Sequence, residues 1–487
     1  MKKGSITVFF ALILSIIIVL ICASIESVKM MCARTQVANG ADVGMYSLFA
    51  QYDPDLLEQY DLFYLDASYG AGALQMCEAY RTVEEYMEPV LRQNYLDLSI
   101  ASGGVTGFSL ATDCNGQPFR DQVTAYMKDA TDSQGAQLLV NTLQENAEGI
   151  EKAQAVKRQA QTQQWMAYYE EEMAWAGNES ARAKAELQEE EIPEAPAALP
   201  TPVENPIDAI REIQKMGILE LVITNPADVS DREDNMEELA SQRDLEQGMG
   251  ALYPAPSESS PKERALFQEY VMENCGMYKK PVDGGALQYQ AEYILGKSAR
   301  DRENLENAAN RILEIREGTN LAYLYADPDK RAQCAALAAE IANGFLVPPA
   351  AGVIEEAMLL CWAFGESALE VKALFDGGRA PLEKTAQNWN LPLENLSGLL
   401  GELSMAIPVT DEPGMDYADY LRALLFLEPE DSKAMRSIDM IERNICSQPG
   451  KENFRMDCCV ESMEVAIDVH VNDRKTYTAL HRYGYNL

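Results

Sequence analysis

Histidine is almost absent from this chain of 487 residues, which contains only His470 and His481. Because histidine is the commonest general base and the commonest metal ligand, this shortage argues against acid–base catalysis and against a metal site. The chain also lacks a Cys-x-x-Cys pair, a Walker phosphate loop, a Gly-x-Ser-x-Gly elbow and a His-Glu-x-x-His helix. A carboxylate pair among the 77 acidic residues would become visible only in three dimensions. The sequence therefore predicts a protein that is not an enzyme and has neither a cofactor nor a small-molecule substrate.

Basic residues are scarce, since 40 Lys and Arg stand against 77 Asp and Glu and give a formal net charge of −37. Such a surface repels the phosphates of DNA and RNA, so nucleic acid is excluded as a partner. Acidic clusters such as "DREDNMEE" (231–238) are not accompanied by an EF-hand loop. We interpret the charge as the solubilising surface of an exposed domain.

Ten cysteines are scattered along the chain rather than paired at short spacing. Cys446 with either Cys458 or Cys459 could form a disulfide outside the cell, where such bonds persist. Spacing alone neither chooses between the two partners nor establishes that the bond forms.

A single long apolar run is present, and its residues 5–25 contain no charged side chain. About 20 such residues span a hydrocarbon core of about 30 Å, whereas the apolar core of a signal peptide has only about 7–15. Lys2 and Lys3 precede the run, so the positive-inside rule predicts a cytoplasmic N-terminus. We therefore expect a retained single-pass anchor in the cell membrane and an extracytoplasmic domain that begins near Glu26.

Apolar residues continue at helical spacing after this run, so we expect residues 1–50 to form one helix that crosses the lipid bilayer and extends beyond it. Residues 51–118 follow as a strand-rich, membrane-proximal part. Its predicted elements are a strand in "DLFYLD" (61–66), a helix near 73–93, two strand-like runs around Gly103-Gly104 (95–111) and a turn at Asn115-Gly116.

Helical periodicity dominates the middle of the chain, and alternating apolar residues return near its end. The predicted segments are a helical, coiled-coil-like arm (119–191), a Pro-rich linker (192–206), a helical domain (207–455) and a C-terminal β-hairpin (456–487) that turns at Asn472-Asp473. Because strands at both ends bracket the helices, the predicted fold class is α+β, predominantly α. The hairpin would complete one small antiparallel sheet with 51–118, and the helical segments would form a large insertion.

The opening "KKGSITVFFALIL" resembles the start of TadG-type proteins of the Tad (Flp) pilus apparatus, a TadE/TadG-like group. In that pattern a Gly precedes an apolar helix, and an acidic residue and an Arg, Gln, Asn, Ala, Asp series follow where the helix leaves the membrane. The matching residues of this chain are Gly4, Val8, Phe10, Ala11, Leu12, Glu26, Arg34, Gln36, Asn39, Ala41 and Asp42. The resemblance covers about the first 50 residues.

The whole chain also resembles an uncharacterised family of large membrane-anchored proteins of Clostridia-type Gram-positive bacteria, which is associated with Tad-pilus-like loci. Pilins and TadE-type pseudopilins are cleaved after a Gly and carry a Glu at the fifth mature position. A cut between Gly4 and Ser5 would place Phe9 there, so this chain departs from the pattern of a major pilin. The resemblance implies an accessory, minor pseudopilin-like component.

We therefore expect a non-enzymatic assembly component of a Tad-like pilus or secretion apparatus. Its partners would be the lipid bilayer and membrane proteins of that apparatus. Two alternatives stay open from the sequence: a membrane-tethered cell-envelope hydrolase and a surface adhesion scaffold.

Overall fold

The computed structural model describes residues 3–92, 96–189, 205–345, 347–405, 413–471 and 475–486, with the backbone alone for 3–5 and 176–189. It confirms a predominantly helical α+β fold with one small antiparallel sheet and one long apolar N-terminal helix. The α-helices are α1 (Lys3–Phe49), α2 (Pro54–Tyr60), α3 (Met76–Arg92), α4 (Asp113–Ala130), α5 (Ser133–Gln159), α6 (Thr162–Glu189), α7 (Pro206–Gln214), α8 (Ile218–Val222), α9 (Pro261–Asn274), α10 (Gln290–Gly296), α11 (Asp301–Ala326), α12 (Pro328–Gly344), α13 (Ala351–Phe375), α14 (Leu399–Ser404), α15 (Tyr417–Leu427) and α16 (Glu430–Cys446). The strands are β1 (Leu65–Asp66), β2 (Leu98–Leu110), β3 (Cys459–Val471) and β4 (Lys475–Gly484).

The chain forms two compact units, and each is built from separated stretches of sequence. The first unit consists of Met1–Ala130, Asn235–Ser260 and Glu430–Leu487, and the second of Thr131–Asp234 and Pro261–Pro429. These units cut across the segments expected from the sequence, because 119–130 joins the first unit whereas α5 and α6 join the second. The expected Pro-rich linker falls mainly on residues outside the described ranges. Its described end, Asn205 and Pro206, caps and begins α7.

The sheet of the first unit is centred on β3, which pairs antiparallel with β2 on one side and with β1 and β4 on the other. Alternate residues of β3 are buried, as the period-two pattern requires: Met463, Val465, Ile467, Val469 and Val471. The expected hairpin is thus present, and it completes a sheet with strands of the N-terminal part. The predicted turn at Asn472-Asp473 lies outside the described residues.

The predicted early strands differ from the observed ones in two places. The stretch 61–66 contributes only β1, because α2 ends at Asp61 in a left-handed conformation and the strand begins four residues later. The two runs expected around Gly103 form the single strand β2. Gly103 lies against the Tyr80 ring, where an added Cβ would come within 1.8 Å of the hydroxyl oxygen, so this glycine permits packing rather than a turn.

The turn predicted at Asn115-Gly116 is a kink inside α4 rather than the end of a hairpin. Cys114, Asn115 and Gly116 all have positive φ, at 48°, 58° and 78°. The sequence signal for left-handed backbone was therefore correct, whereas the element that contains it is helical.

The second half of α1 is part of the core of the first unit. Its buried residues recur at helical spacing and meet an equivalent row on α3: Ala33, Val37, Ala41, Met45 and Leu48 against Tyr80, Val83, Met87 and Leu91. Gly44 makes the closest approach, because an added Cβ would lie 2.7 Å from the Val83 carbonyl oxygen. The sequence Gly40-x-x-x-Gly44 thus packs α1 against α3 within one chain.

The second unit is a helical assembly in which α5 lies beside α9, α11 and α15. The apolar stripe of α5, including Val140, Leu143 and Ala147, packs against Ala265 and Phe426. The apolar stripe of α5 is therefore covered by helices of its own unit. Gly318 allows α11 to approach α5 closely, since a Cβ added there would lie 1.9 Å from the Ala153 carbonyl oxygen.

The close contact of α1 with α3 gives a first prediction. Gly44→Ala should weaken the docking of α1 by about 1–3 kcal/mol, because a methyl group meets rigid backbone there. Gly40→Ala is the matched control, since the same helix gains the same propensity and the new Cβ meets only side chains, Met87 at 3.0 Å and Leu91 at 3.4 Å. Amide hydrogen exchange of residues 33–49 in the detergent-solubilised full chain measures the difference. Equal protection in the two variants would show that the helices are not in close contact.

Candidate functional site

The first half of α1 is long and apolar enough to span a membrane, a test that signal sequences near an N-terminus also pass. Its described side chains, from Ile6 to Val28, are exposed in the structure. They include the matched residues Val8, Phe10, Ala11 and Leu12. Gly4 and Ser5 lie in the helical backbone of α1, and their side chains are outside the described set. An exposed helix of this composition needs an apolar surrounding or a partner.

On the C-terminal side of this apolar stretch, four of the residues that match the TadG-type pattern connect α1 to the rest of the first unit. Glu26 forms an ion pair with Lys475 of β4 at 2.9 Å, and Asp42 pairs with His481 of β4 at 2.8 Å. The Arg34 guanidinium lies 5.4 Å from the centre of the Tyr477 ring, also on β4. The Gln36 side-chain amide donates to the Val90 carbonyl oxygen of α3 at 2.7 Å. Most of the polar residues that carry the TadG resemblance thus contact β4 or α3 and hold α1 against them.

The remaining matched residues have other surroundings. Ala41 is fully buried in the core, whereas Asn39 is exposed on the far side of α1. The two histidines do not meet each other, because the register pairs His470 with Thr476 and His481 with Val465. His470 instead contacts the Thr476 hydroxyl at 3.2 Å, and His481 contacts the Asp42 carboxylate.

Aromatic side chains pack around the C-terminal end of α1. Phe49 packs against Tyr483 and Tyr485, with ring centres 5.2 Å apart in both pairs. The Tyr485 hydroxyl donates to the Phe49 carbonyl oxygen at 2.6 Å and so satisfies a backbone acceptor at the end of the helix. Phe63 extends the group, at 5.9 Å from Tyr485. The C-terminal residues of the chain thereby hold the end of the N-terminal helix.

A shallow depression lies where α1 meets the hairpin, with a volume of about 420 Å³. Its lining residues are Cys22, Ile25, Glu26, Lys29, Met30, Val471 and Lys475. The described residues contain no group of three or more His, Cys, Asp and Glu side chains able to hold a metal ion. The depression therefore combines the Glu26–Lys475 ion pair with the Lys29 and Cys22 side chains and with apolar carbon.

The disulfide left open by the sequence is not formed, since all ten cysteines are free thiols. The Cys446 thiol instead donates to the Phe454 carbonyl oxygen at 3.2 Å. Burial raises the pKa of the Cys458 thiol to about 12 and that of Cys459 well above its ordinary value. These two thiols are accordingly protonated and unreactive in the fold.

The second unit contains a buried charge cluster that sequence reasoning missed. Arg316 of α11 makes two hydrogen bonds to Glu370 of α13, both at 2.8 Å, and all of their side-chain atoms are within the core. The Lys384 ammonium lies 2.6 Å from both Glu366 and Glu370. Asn320 adds a further amide donor to Glu370 at 2.8 Å. The only sequence signal was the spacing of Glu366 and Glu370, which stand four residues apart in the mostly apolar helix α13 and must therefore face the same side.

Opposite pKa shifts distinguish the two glutamates. Burial would raise the pKa of Glu370, but the charges of Arg316 and Lys384 outweigh it and hold the pKa at about 2. Burial and the neighbouring Glu370 charge raise the pKa of Glu366. Such a pair is the pattern of a catalytic acid and base, the role that a hydrolase would require. Here, however, the oxygens of Glu366 accept from Lys384 and from the backbone amides of Asn390 and Leu391, so the cluster functions as an internal clamp.

A second buried acid has no such compensation. Glu292 of α10 is fully buried, and one of its oxygens accepts from the Tyr278 amide at 2.8 Å and the Tyr417 hydroxyl at 2.7 Å. Its other oxygen is buried without a hydrogen-bond partner. Burial raises the pKa of Glu292 to about 7, with the hydrogen bonds from Tyr278 and Tyr417 opposing the shift. The fold therefore favours the protonated acid.

The raised pKa of Glu292 allows a prediction of how the stability of the second unit depends on pH. Its pKa is about 7 in the fold and about 4.5 when exposed, so between these values the folded chain holds a proton that the unfolded chain has lost. Stability should fall as pH rises through this window, by roughly 3 kcal/mol in total. Urea unfolding of the full chain at pH 5 and pH 8, followed by tryptophan fluorescence, tests this, because all four tryptophans belong to the second unit. Glu292→Gln should lose that part of the pH dependence, and an unchanged dependence would contradict the assignment.

The charge clamp gives a separate prediction for the same unit. Glu370→Gln should destabilise it by about 3–5 kcal/mol, because Arg316 and Lys384 would lose their shared counter-charge inside the core. Glu212→Gln is the matched control, since Glu212 and Lys215 form an exposed ion pair and its loss should cost less than about 1 kcal/mol. Urea midpoints followed by tryptophan fluorescence compare the two variants. Equal effects of the two substitutions would refute the clamp.

Comparison with known proteins places the chain in a family without giving it a function. No curated protein and no solved structure matches it. Residues 198–471, 274 of the 487, match DUF5702, described as a family of unknown function. The match includes the charge clamp, Glu292 and β3, whereas α1 lies outside it. Because it covers more than half of the sequence, the chain belongs to DUF5702, a family of unknown function.

Proposed function

We propose that this protein is a non-enzymatic, single-pass membrane protein that serves as an assembly or accessory component of a Tad-like pilus or secretion apparatus. In this proposal the N-terminus lies in the cytoplasm, α1 crosses the cell membrane, and the acidic domain lies on the extracytoplasmic side. The observation that carries the proposal is the continuity of α1, which passes without a break from the exposed apolar stretch into the core of the first unit.

A tether for an enzyme needs only a flexible connection between anchor and domain. In this chain the residues that follow the apolar stretch are themselves core residues, so no flexible connection exists. The Glu26–Lys475 ion pair, the Asp42–His481 contact and the Arg34–Tyr477 contact lie along the same helix. The anchor and the first unit therefore move as one body, which is what an assembled apparatus requires of a subunit that transmits position or force from the membrane.

The sequence supports the direction and setting of this assembly. Lys2 and Lys3 favour a cytoplasmic N-terminus, and the net charge of −37 suits a solvated exterior domain. The TadG resemblance supports the pilus setting, whereas Phe9, at the position of the pilin Glu, argues against processing between Gly4 and Ser5. N-terminal sequencing of the membrane-extracted protein distinguishes Met1 from Ser5 as the first residue.

The continuity of α1 can be tested by insertion between Met31 and Cys32, just above the docked residues. A flexible Gly/Ser insertion should lower co-purification with the pilus ATPase or platform protein from native membranes by about tenfold, equivalent to roughly 1.4 kcal/mol. A helix-forming, Ala-rich insertion of one heptad is the control, because it lengthens α1 while keeping both helix and face. Replacement of residues 6–25 by an unrelated anchor tests the membrane segment in the same assay.

Three outcomes would count against the proposal. Equal co-purification of the flexible and helical insertions would reduce α1 to a tether. Absence of any pilus or secretion component from the wild-type sample would remove the setting. Turnover of an envelope polymer by the purified full chain, abolished by a single Asp or Glu replacement, would establish the hydrolase instead.

A further inference from the structure

The shallow depression between α1 and the hairpin lies at the level where the apolar stretch ends. Its lining follows α1 from Cys22 and Ile25, which belong to the apolar stretch, to Lys29, about one turn beyond it. Lys475 of β4 adds a second ammonium at the level of Glu26, with which it forms an ion pair. One small surface of the first unit therefore combines apolar carbon with two cations.

The spacing of these residues matches the layers of a lipid bilayer. A hydrocarbon core of about 30 Å is flanked on each side by a headgroup layer of about 5–8 Å. Lys29 follows Ile25 by four residues, which is about 6 Å along a helix. If Ile25 ends the part of α1 that lies in hydrocarbon, the Lys29 and Lys475 ammonium groups are at the depth of the lipid phosphates.

Both lysines keep hydrogen-bond donors for an anion from outside the chain. Lys29 is exposed, and its ammonium has no ion-pair partner among the residues that the structure describes. The positive-inside rule makes a cation uncommon just outside the membrane, so the topology of the anchor does not explain this lysine. The Lys475 side chain is 51% exposed, and an ammonium has three donors, of which the contact with Glu26 occupies one.

Charge is distributed unevenly along α1 and its neighbours. On α1 and β4 near the apolar stretch, the cations Lys29, Arg34 and Lys475 stand against one carboxylate, Glu26. The other end of α1 leads into residues 53–61, which contain four carboxylates and neither Lys nor Arg. Cations at the membrane-side end are the arrangement that an anionic lipid surface attracts.

We infer that the depression binds the headgroup of an anionic phospholipid in the extracytoplasmic leaflet, which α1 leaves at this level. The inference rests on the proposed membrane anchoring. Lys29 and Lys475 donate to the phosphate oxygens in charge-assisted hydrogen bonds, and an acyl chain of the same lipid lies along Ile25 and Cys22. The volume of about 420 Å³ is within the range of ligand pockets, about 300–1,000 Å³.

The order of polar and apolar groups identifies a lipid as the ligand. A phospholipid joins an anion directly to hydrocarbon, whereas a free phosphate leaves the apolar part of the depression uncovered. Because α1 continues without a break into the core of the first unit, a lipid held at Lys29 also fixes the depth of that unit relative to the membrane.

Lipid retention by the detergent-solubilised full chain tests the site. Phosphatidylglycerol and phosphatidylcholine are offered in equal amounts, and native mass spectrometry measures the ratio in which they stay bound. Wild type should prefer phosphatidylglycerol. Lys29→Gln and Lys475→Gln should each lower that preference about fivefold, the usual effect of one lysine near an anionic headgroup.

Two further variants are controls. Lys29→Arg keeps the charge and should keep the preference. Arg81→Gln removes an exposed cation of α3 two residues before Val83, which contacts Gly44 far along α1 from the apolar stretch, and should also leave the preference unchanged. Lys29, Lys475 and Arg81 are all exposed, so none of these substitutions disturbs the core.

The outcomes separate this inference from the function on which it rests. Equal retention of the two lipids by wild type, or the same loss of preference in Arg81→Gln, overturns the lipid site. If glycerol phosphate in solution removes the preference, the depression binds a free phosphate and the lipid assignment is wrong. Carbonate extraction of native membranes is the second measurement: protein retained in the membrane but without lipid preference refutes the site alone, whereas protein released by carbonate refutes the anchoring as well.

Discussion

The packing of α1 against α3 and β4 determines how the first unit is built. Residues 33–49 supply one wall of its core, and the last residues of the chain, Tyr483 and Tyr485, close around Phe49. A helix whose second half forms a wall of the core cannot be removed without exposing the residues it covers. The first unit therefore includes α1 as a structural element, and a fragment that begins after Gln51 would lack part of its own core.

The second unit depends on a different constraint, the burial of charge. Its helix α13 is largely buried, yet it carries Glu366 and Glu370, which are about one helical turn apart. Removing carboxylates from water costs several kcal/mol each, and the structure offsets this with Arg316, Lys384 and backbone amides. Such a cluster favours this arrangement of helix faces, because Arg316 and Lys384 find their carboxylate acceptors in it. Glu292 shows the opposite solution, in which a buried acid keeps its proton instead of acquiring a cation.

Regular periodicity made part of this architecture predictable. The continuation of α1 beyond its apolar stretch and the hairpin of β3 and β4 follow from apolar spacing, and both are present. The extent of β2 was not predictable, because a glycine pair reads as a turn until Tyr80 is known to occupy the space beside Gly103. The assignment of 235–260 to the first unit was equally hidden. It depends on Arg243, which binds Glu442 and Asp457 about two hundred residues away, and such long-range polar contacts leave no local pattern.

The residues of the candidate site also divide into those that the sequence identifies and those that only the fold brings together. The matched residues Glu26, Arg34, Gln36 and Asp42 could be located by resemblance, but only the structure shows that they face β4 and α3. The charge clamp had almost no sequence signal, because Arg316 and Lys384 come from different segments and meet Glu370 only in the fold.

The extent of the family match has a structural consequence. Residues 198–471 include β3 but not β1, β2 or β4, although β3 pairs with all three and buries its alternate residues against them. An isolated central strand exposes two unpaired edges and an apolar face. In this chain the matched region is therefore completed by the N-terminal part and by the last residues. Since α1 packs in the same core, the long apolar N-terminal helix and β3 of the matched region share one hydrophobic cluster, in which neither is covered without the other.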